Sequence, residues 1–329
     1  MTNQVQNNLP TQPVILAFGM PRSGTSWIGK LLDSHPATYY LHEPDSVMRL
    51  EGVPTLPLTS ELDKYGELIR THLESIFEVR SPRVTCKMPQ FRKSYRNFLG
   101  NQFAIGSAYV CKALSKHLSD VQVPRFAAID HPGLVIVWKS IQSAGRIELV
   151  NRNLPNSKAL LILRHPCGQI ASLIRGRSFM SKKPASEKYG LFEEAIESGL
   201  VESSGLTIES LKQMTPVQRL AWQWRIMNTK ACHDLDSVGG QLCVYEQIAK
   251  DIGAMEEQFK ALGLDFHAQT QQFLKSSSEK QRAAYFSVYK QSASVADAWM
   301  DEMAAEDIRD VMEIVEPSEP WQRLAATID

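Results

Sequence analysis

Val14-Ile15-Leu16-Ala17-Phe18-Gly19-Met20-Pro21-Arg22-Ser23-Gly24-Thr25-Ser26-Trp27 is an apolar run that passes directly into a glycine-bounded loop. Helix-compatible residues follow at Trp27-Ile28-Gly29-Lys30-Leu31-Leu32. Buried strand, tight loop, then helix is the order in which an α/β protein presents backbone N–H groups to an anion. Gly19 and Gly24 let the chain curl, Arg22 brings a forked cation, and Ser23, Thr25 and Ser26 bring hydroxyl donors. The two glycines have the spacing of the nucleoside triphosphate loop G-x-x-x-x-G-K-[ST], but Thr25 stands where the lysine belongs. A triphosphatase needs that lysine on its β- and γ-phosphates. The stretch therefore argues for phosphate binding and against ATP hydrolysis.

The segment Pro21–Trp27 resembles the 5′-phosphosulfate loop of sulfotransferases that use 3′-phosphoadenylyl sulfate (PAPS). The resemblance implies that Arg22, Ser23, Gly24, Thr25 and Ser26 hold the 5′-phosphate and sulfuryl group and that Trp27 packs against the adenine. Residues 25–34 read as the first helix, and Pro36 disfavours its continuation. Thr38-Tyr39-Tyr40-Leu41 reads as the second strand and delivers His42-Glu43-Pro44 at its C-terminal end, the edge where open α/β sheets bind ligands. Tyr40-Leu41-His42-Glu43-Pro44 resembles the aromatic-Leu-x-Glu-Pro run of carbohydrate sulfotransferases. In those enzymes and the tyrosylprotein enzymes this glutamate is the presumed general base. A carboxylate within hydrogen-bond reach can take the acceptor hydroxyl's proton as the oxygen attacks sulfur. The structural alternative is that Glu43 caps a turn or pairs with Arg22; His42 and Asp45 rank behind it.

Two further apolar runs read as strands buried on both faces. Leu134–Trp138 ends at Lys139-Ser140, and the resemblance implies that Lys139 supports the sulfuryl or bridging oxygen, with Lys87 as the alternative lysine. Lys158–Leu163 ends at Arg164-His165-Pro166, with Ser172 eight residues after the arginine. This run resembles the 3′-phosphate motif of sulfotransferases, which implies that Arg164 and Ser172 hold the 3′-phosphate. Gln241–Glu246 resembles the family's last sheet strand, bringing Tyr245 to the adenine, although Gln247 replaces the usual acid. Tyr289-Lys290 weakly resembles the C-terminal region that returns a basic residue to the nucleotide phosphate. Val84-Thr85-Cys86 reads as a short strand, 216–235 as a helix with Trp222 and Trp224 in the core, and 246–262 as an amphipathic helix closing at Gly263.

The chain has 329 residues, 43% hydrophobic, with 36 basic and 36 acidic side chains, so any anion binding is local rather than a general attraction to nucleic acid. Five widely spaced cysteines without a C-x-x-C pair argue against a disulfide framework or a structural zinc site and favour a reducing compartment. Residues 1–13 are polar and Asn/Gln-rich and read as a disordered tail rather than a signal peptide. No apolar run approaches the roughly 18 residues of a membrane span. These features point to a cytoplasmic protein.

The expectation is one α/β domain over 14–329, P-loop-like and three-layered, with a central parallel sheet of about five strands flanked by helices. Acceptor-side elaborations are expected near 46–130 and 176–215, the latter as a lid or recognition insert. The activity implied is metal-independent, in-line transfer of the sulfuryl group from PAPS to a hydroxyl-bearing small-molecule or glycan acceptor; the Tyr40–Pro44 resemblance favours a carbohydrate or glycoconjugate and leaves a small alcohol, lipid or natural-product hydroxyl open. 3′-Phosphoadenosine 5′-phosphate (PAP) is the product. Two alternatives remain open, a P-loop kinase and a non-catalytic PAP-binding sensor.

Overall fold

The computed structural model describes residues 9–124, 131–180, 189–279 and 292–328. Five strands form one parallel sheet: β1 (Val14–Phe18), β2 (Thr38–His42), β3 (Val135–Ser140), β4 (Ser157–Leu163) and β5 (Gln241–Val244), in the order β2-β3-β1-β4-β5. Parallel strands need covered crossovers, and each connection here carries helices. The register sets Ala17 and His42 beside Lys139, and Phe18 beside both Ser140 and Leu161. The C-terminal ends of β1, β2, β3 and β4 therefore share one edge.

Alternation along the strands divides the core between the two faces of the sheet. Val14, Leu16, Phe18, Ile136 and Trp138 face one way, into a cluster with α2 (Gly66–Glu78), α5 (Ile147–Asn153) and part of α9 (Pro216–Ser237). Ile15, Ala17, Val137, Leu160 and Ile162 face the other way, against α1 (Thr25–Ser34), α11 (Ile252–Leu262) and α12 (Ala268–Glu279). A third cluster joins α6 (Pro166–Met180), α7 (Gly190–Glu197), α8 (Ile208–Gln213) and α9 to the helix Ala305–Val315. Trp222 and Trp224 lie inside it. The three layers are as the apolar runs require.

Three expectations need correction. Residues 82–85 form a helix, α3 (Pro82–Thr85), not a strand: Pro82 occupies its first turn and the Ser81 side chain accepts from the Arg83 N–H, overriding the β-propensity of Val84 and Thr85. Residues 9–13 are not a loose tail. Leu9 packs on the first core cluster, and the Pro13 carbonyl accepts from the Ile136 N–H at 2.9 Å. The helix expected over 246–262 is two, α10 (Tyr245–Lys250) and α11, divided at Asp251, whose extended backbone and side chain cap the second one. Of the insert expected over 176–215, residues 181–188 lie outside the described residues, and 190–213 pack on the third cluster through Phe192, Ala195 and Leu211.

α4 (Phe98–Leu114) lies beside α3 and completes the wall that faces the C-terminal edge of the sheet. All five cysteines are free and buried. Among the described residues no helix is long and apolar enough to cross a membrane.

Candidate active site

The loop after β1 holds its shape through backbone bonds. The Gly19 N–H donates to the Ser140 carbonyl at 3.3 Å, and the Ser23 N–H donates to Met20 at 3.2 Å. Arg22 sits at φ 70° and Gly24 at φ 92°. Non-glycine residues at positive φ are uncommon, cost backbone strain and cluster at active sites and ligand clamps. No side chain caps α1, so its first N–H groups point into the loop, the standard arrangement for an anion. The Ser23 hydroxyl is buried and makes no hydrogen bond within the protein. These features fit a bound phosphate.

Gly24 has a second constraint. A Cβ at this position would stand 2.3 Å from Cδ2 of Tyr245. Gly24→Ala is therefore expected to cost roughly 1–3 kcal/mol of stability, read as a fall in the thermal midpoint. An unchanged midpoint would show that the loop relaxes freely.

Trp27 and Tyr245 meet each other edge to face, with ring centroids 5.7 Å apart. Both are only 6% exposed, and the Trp27 indole N–H donates to Ser277 Oγ at 3.0 Å. The structure thus sets both aromatics in the core beneath the loop. Tyr245 is the first residue of α10, past the end of β5 rather than on it.

The second phosphate motif folds onto the first. Arg22 Nε donates to Ser172 Oγ at 3.0 Å, and Arg164 Nη1 donates to the Arg22 carbonyl at 3.1 Å. Arg164 also donates to the Val295 carbonyl, lies 4.6 Å over the Tyr245 ring, and stands 3.8 Å from Glu246. Its Nε is buried without a hydrogen-bond partner. Glu246 is buried, and burial raises its pKa above the ordinary carboxylate value against the opposing pull of Arg164.

At the β2 and β3 ends, Lys139 Nζ donates to Glu43 Oε1, joining residues 96 positions apart. Glu43 is in the left-handed region at φ 51°, and its N–H donates to the Lys139 carbonyl at 2.7 Å. Lys139 is buried, which pulls its pKa below the ordinary value while Glu43 opposes the shift. His42 bonds Tyr40 Oη at 2.8 Å; its burial and the charge of Lys139 hold its pKa far below the ordinary value, so it is neutral. Asp45 is turned away into the Ser140 and Ser143 hydroxyls. Glu43 rather than its neighbours is the carboxylate presented to solvent, and its charge partner is Lys139 rather than Arg22.

A cavity of about 760 Å³ opens over this edge, lined by Arg22, Thr25, Ser26, Glu43 and Lys139 on the sheet side. Arg83, Lys87 and Lys112 line its other side, from α3, the following loop and α4. Lys87 is the alternative lysine of the sequence reading; burial and the neighbouring Lys139 bring it down to about 8. No motif marks Arg83 or Lys112, and sequence reasoning missed both. Lys290 lies outside the described residues. Glu148, His233 and Asp234 bring donor atoms within 4.8 Å of one another, but Lys230 holds Asp234 and Arg152 holds Glu148, so these carboxylates already have cations.

Residues 13–202 match the family model described as "Sulfotransferase family". Among solved structures, the chain is similar to the sulfotransferase domain of the Synechococcus PCC 7002 olefin synthase, at 16% identity and TM-score 0.46, with 94% of each chain covered. It is also similar to mouse sulfotransferase SULT7A1 complexed with PAP, at 11% identity and TM-score 0.45, covering 97% of this chain and 91% of that one. Sulfotransferase STF9 from Mycobacterium avium matches at 15% identity and TM-score 0.42, over 95% of this chain and 78% of that one. No curated protein sequence matches the chain.

Proposed function

The chain belongs to the sulfotransferase family, and from this premise we propose that it moves the sulfuryl group of PAPS to a hydroxyl acceptor. The observation that carries the reading is the contact between the two phosphate motifs, Arg22 Nε on Ser172 Oγ with Arg164 on the Arg22 carbonyl. A loop alone would suit any phosphate. A second cationic site joined to it suits a nucleotide with phosphates at both ends of the ribose. The 5′-phosphosulfate would lie on the loop 20–27 and the α1 N-terminus, and the 3′-phosphate on Arg164 and Ser172. The buried and unpartnered Ser23 Oγ and Arg164 Nε fit such a ligand.

In this reading the acceptor oxygen bonds to sulfur as the bond from sulfur to the bridging phosphate oxygen breaks. The hydroxyl proton passes to Glu43, and the electron pair leaves with PAP. Arg22 and Lys139 face the charge that develops on the departing phosphate. The Lys139 ammonium donates to Glu43 Oε1 and so positions the carboxylate at the cavity. Transfer on this scheme needs no metal, because the donor is already activated and the cations are side chains. The Tyr40–Pro44 run favours a carbohydrate or glycoconjugate acceptor.

The test is thermal denaturation with PAP, ADP and ATP–magnesium. PAP at about 100 times its dissociation constant should stabilise the protein by about 2.7 kcal/mol, with far less from ADP at equal concentration. Stabilisation by ATP–magnesium with none from PAP would overturn the reading in favour of a kinase.

A further inference from the structure

Building on the sulfotransferase reading, we propose that the acceptor carries an anionic group, a carboxylate, sulfate or phosphate, bound by Arg83 and Lys112 on the wall of the cavity opposite the nucleotide loop. Among the described residues five cationic side chains line this cavity, and Glu43 is the single carboxylate with them. Glu43 is already paired with Lys139. Arg22 and Lys139 belong to the loop and sheet edge where the phosphosulfate would sit. Arg83, Lys87 and Lys112 come from α3, the loop after it and α4, which contribute no residue to either phosphate motif.

Among the described residues no carboxylate pairs with Arg83, Lys87 or Lys112. Cations gathered around one concavity repel each other, and focused positive potential of this kind attracts an anion. Arg83 has a second exposure that strengthens the assignment. It also lines an adjoining cavity of about 420 Å³, together with Arg49 and Arg146, where the lining carboxylate is Asp45. Asp45 accepts from Ser140 and Ser143 and, among the described residues, forms no ion pair with these arginines, although Arg146 lies within reach of its charge. Positive charge therefore continues from the acceptor cavity past Arg83 into its neighbour. Ser115 and Ser119 line the same wall with their hydroxyls turned to the Lys112 carbonyl and the Asp120 carboxylate, so the charged side chains alone carry the assignment. A neutral sugar or alcohol would leave these cations without a counter-charge.

The experiment measures transfer from labelled PAPS to matched acceptor pairs that differ only in charge: glucuronate against its methyl ester, glucose 6-phosphate against glucose, and 4-hydroxybenzoate against its methyl ester. The anionic member should be preferred by roughly tenfold or more in kcat/KM, the scale of one charge-assisted contact. The preference should collapse in an Arg83→Ala, Lys112→Ala double variant whose stabilisation by PAP persists. If no pair is turned over, the same compounds are titrated into the PAP complex. Shifts in melting temperature from the anionic members only, lost in the double variant, support the proposal. Equal use or equal binding of both members, no response to any of them, or a preference that survives the double substitution overturns it. Absence of PAP stabilisation in the unmodified protein would instead overturn the sulfotransferase reading beneath it.

Discussion

Glu43→Gln is expected to lower the rate of sulfuryl transfer by at least about 100-fold while leaving stabilisation by PAP intact. The substitution keeps shape and removes the proton acceptor. It also strips the buried Lys139 ammonium of its counter-charge, since that nitrogen donates to the Glu43 carboxylate. Breaking a buried pair by removing one member costs up to about 3–5 kcal/mol; Glu43 retains 16% side-chain exposure at the cavity, so the lower end applies. A fall in melting temperature should therefore accompany the kinetic loss, and assays must run well below the variant's midpoint. The pattern that identifies a base is loss of kcat with PAP binding preserved. Near-normal turnover in Glu43→Gln would remove Glu43 from that role and leave the Glu43–Lys139 pair as structural.

Arg164→Ala should abolish most of the response to PAP. At a concentration that stabilises the unmodified protein by about 2.7 kcal/mol, the variant should gain under about 1 kcal/mol, because truncating a charged contact in a buried site costs 2–5 kcal/mol. Arg164→Lys should recover only part of the response, since lysine keeps the charge but not the fork. The substitution carries a separate stability signature. Arg164 offsets the burial that raises the pKa of Glu246. A carboxyl whose pKa is higher folded than unfolded binds more protons in the folded state, so its contribution to stability falls as pH climbs from the unfolded value through the folded one. Without Arg164 that fall should deepen, and the variant should lose more stability relative to the unmodified protein at about pH 8 than at about pH 5. A PAP response equal to that of the unmodified protein would show that the second motif does not bind the nucleotide.

Most of what defines the loop after β1 and the motif after β4 could be read locally. The apolar run Val14–Phe18, the glycine spacing and Pro36 are short-range signals, because strand burial, loop curvature and helix termination act over a few residues. The same holds for Arg164 and Ser172, whose spacing puts them at a strand end and on the helix that follows it. Local reading went wrong where two short-range preferences competed. At 82–85 the helix-starting Pro82 and its Ser81 cap prevailed over β-branched residues. At Tyr245 the aromatic that seemed to end a strand begins a helix and closes over Gly24.

By itself the sequence determined a buried parallel strand running into an anion-binding loop, a second arginine motif at a later strand end, and the absence of the lysine that ATP hydrolysis requires. Tertiary structure alone decided which charges meet. Lys139 could have been a surface lysine at a strand end; the β2–β3 register sets it beside His42 and within reach of Glu43. Arg22 and Ser172 lie 150 residues apart and bond only because β1 and β4 are neighbours in the sheet. Arg83 and Lys112 carry no periodic or motif signal, since an exposed cation on a helix is ordinary wherever it points. Their meaning comes from the packing of α3 and α4 over the C-terminal edge of the sheet, which turns separate surface charges into one wall of a single cavity.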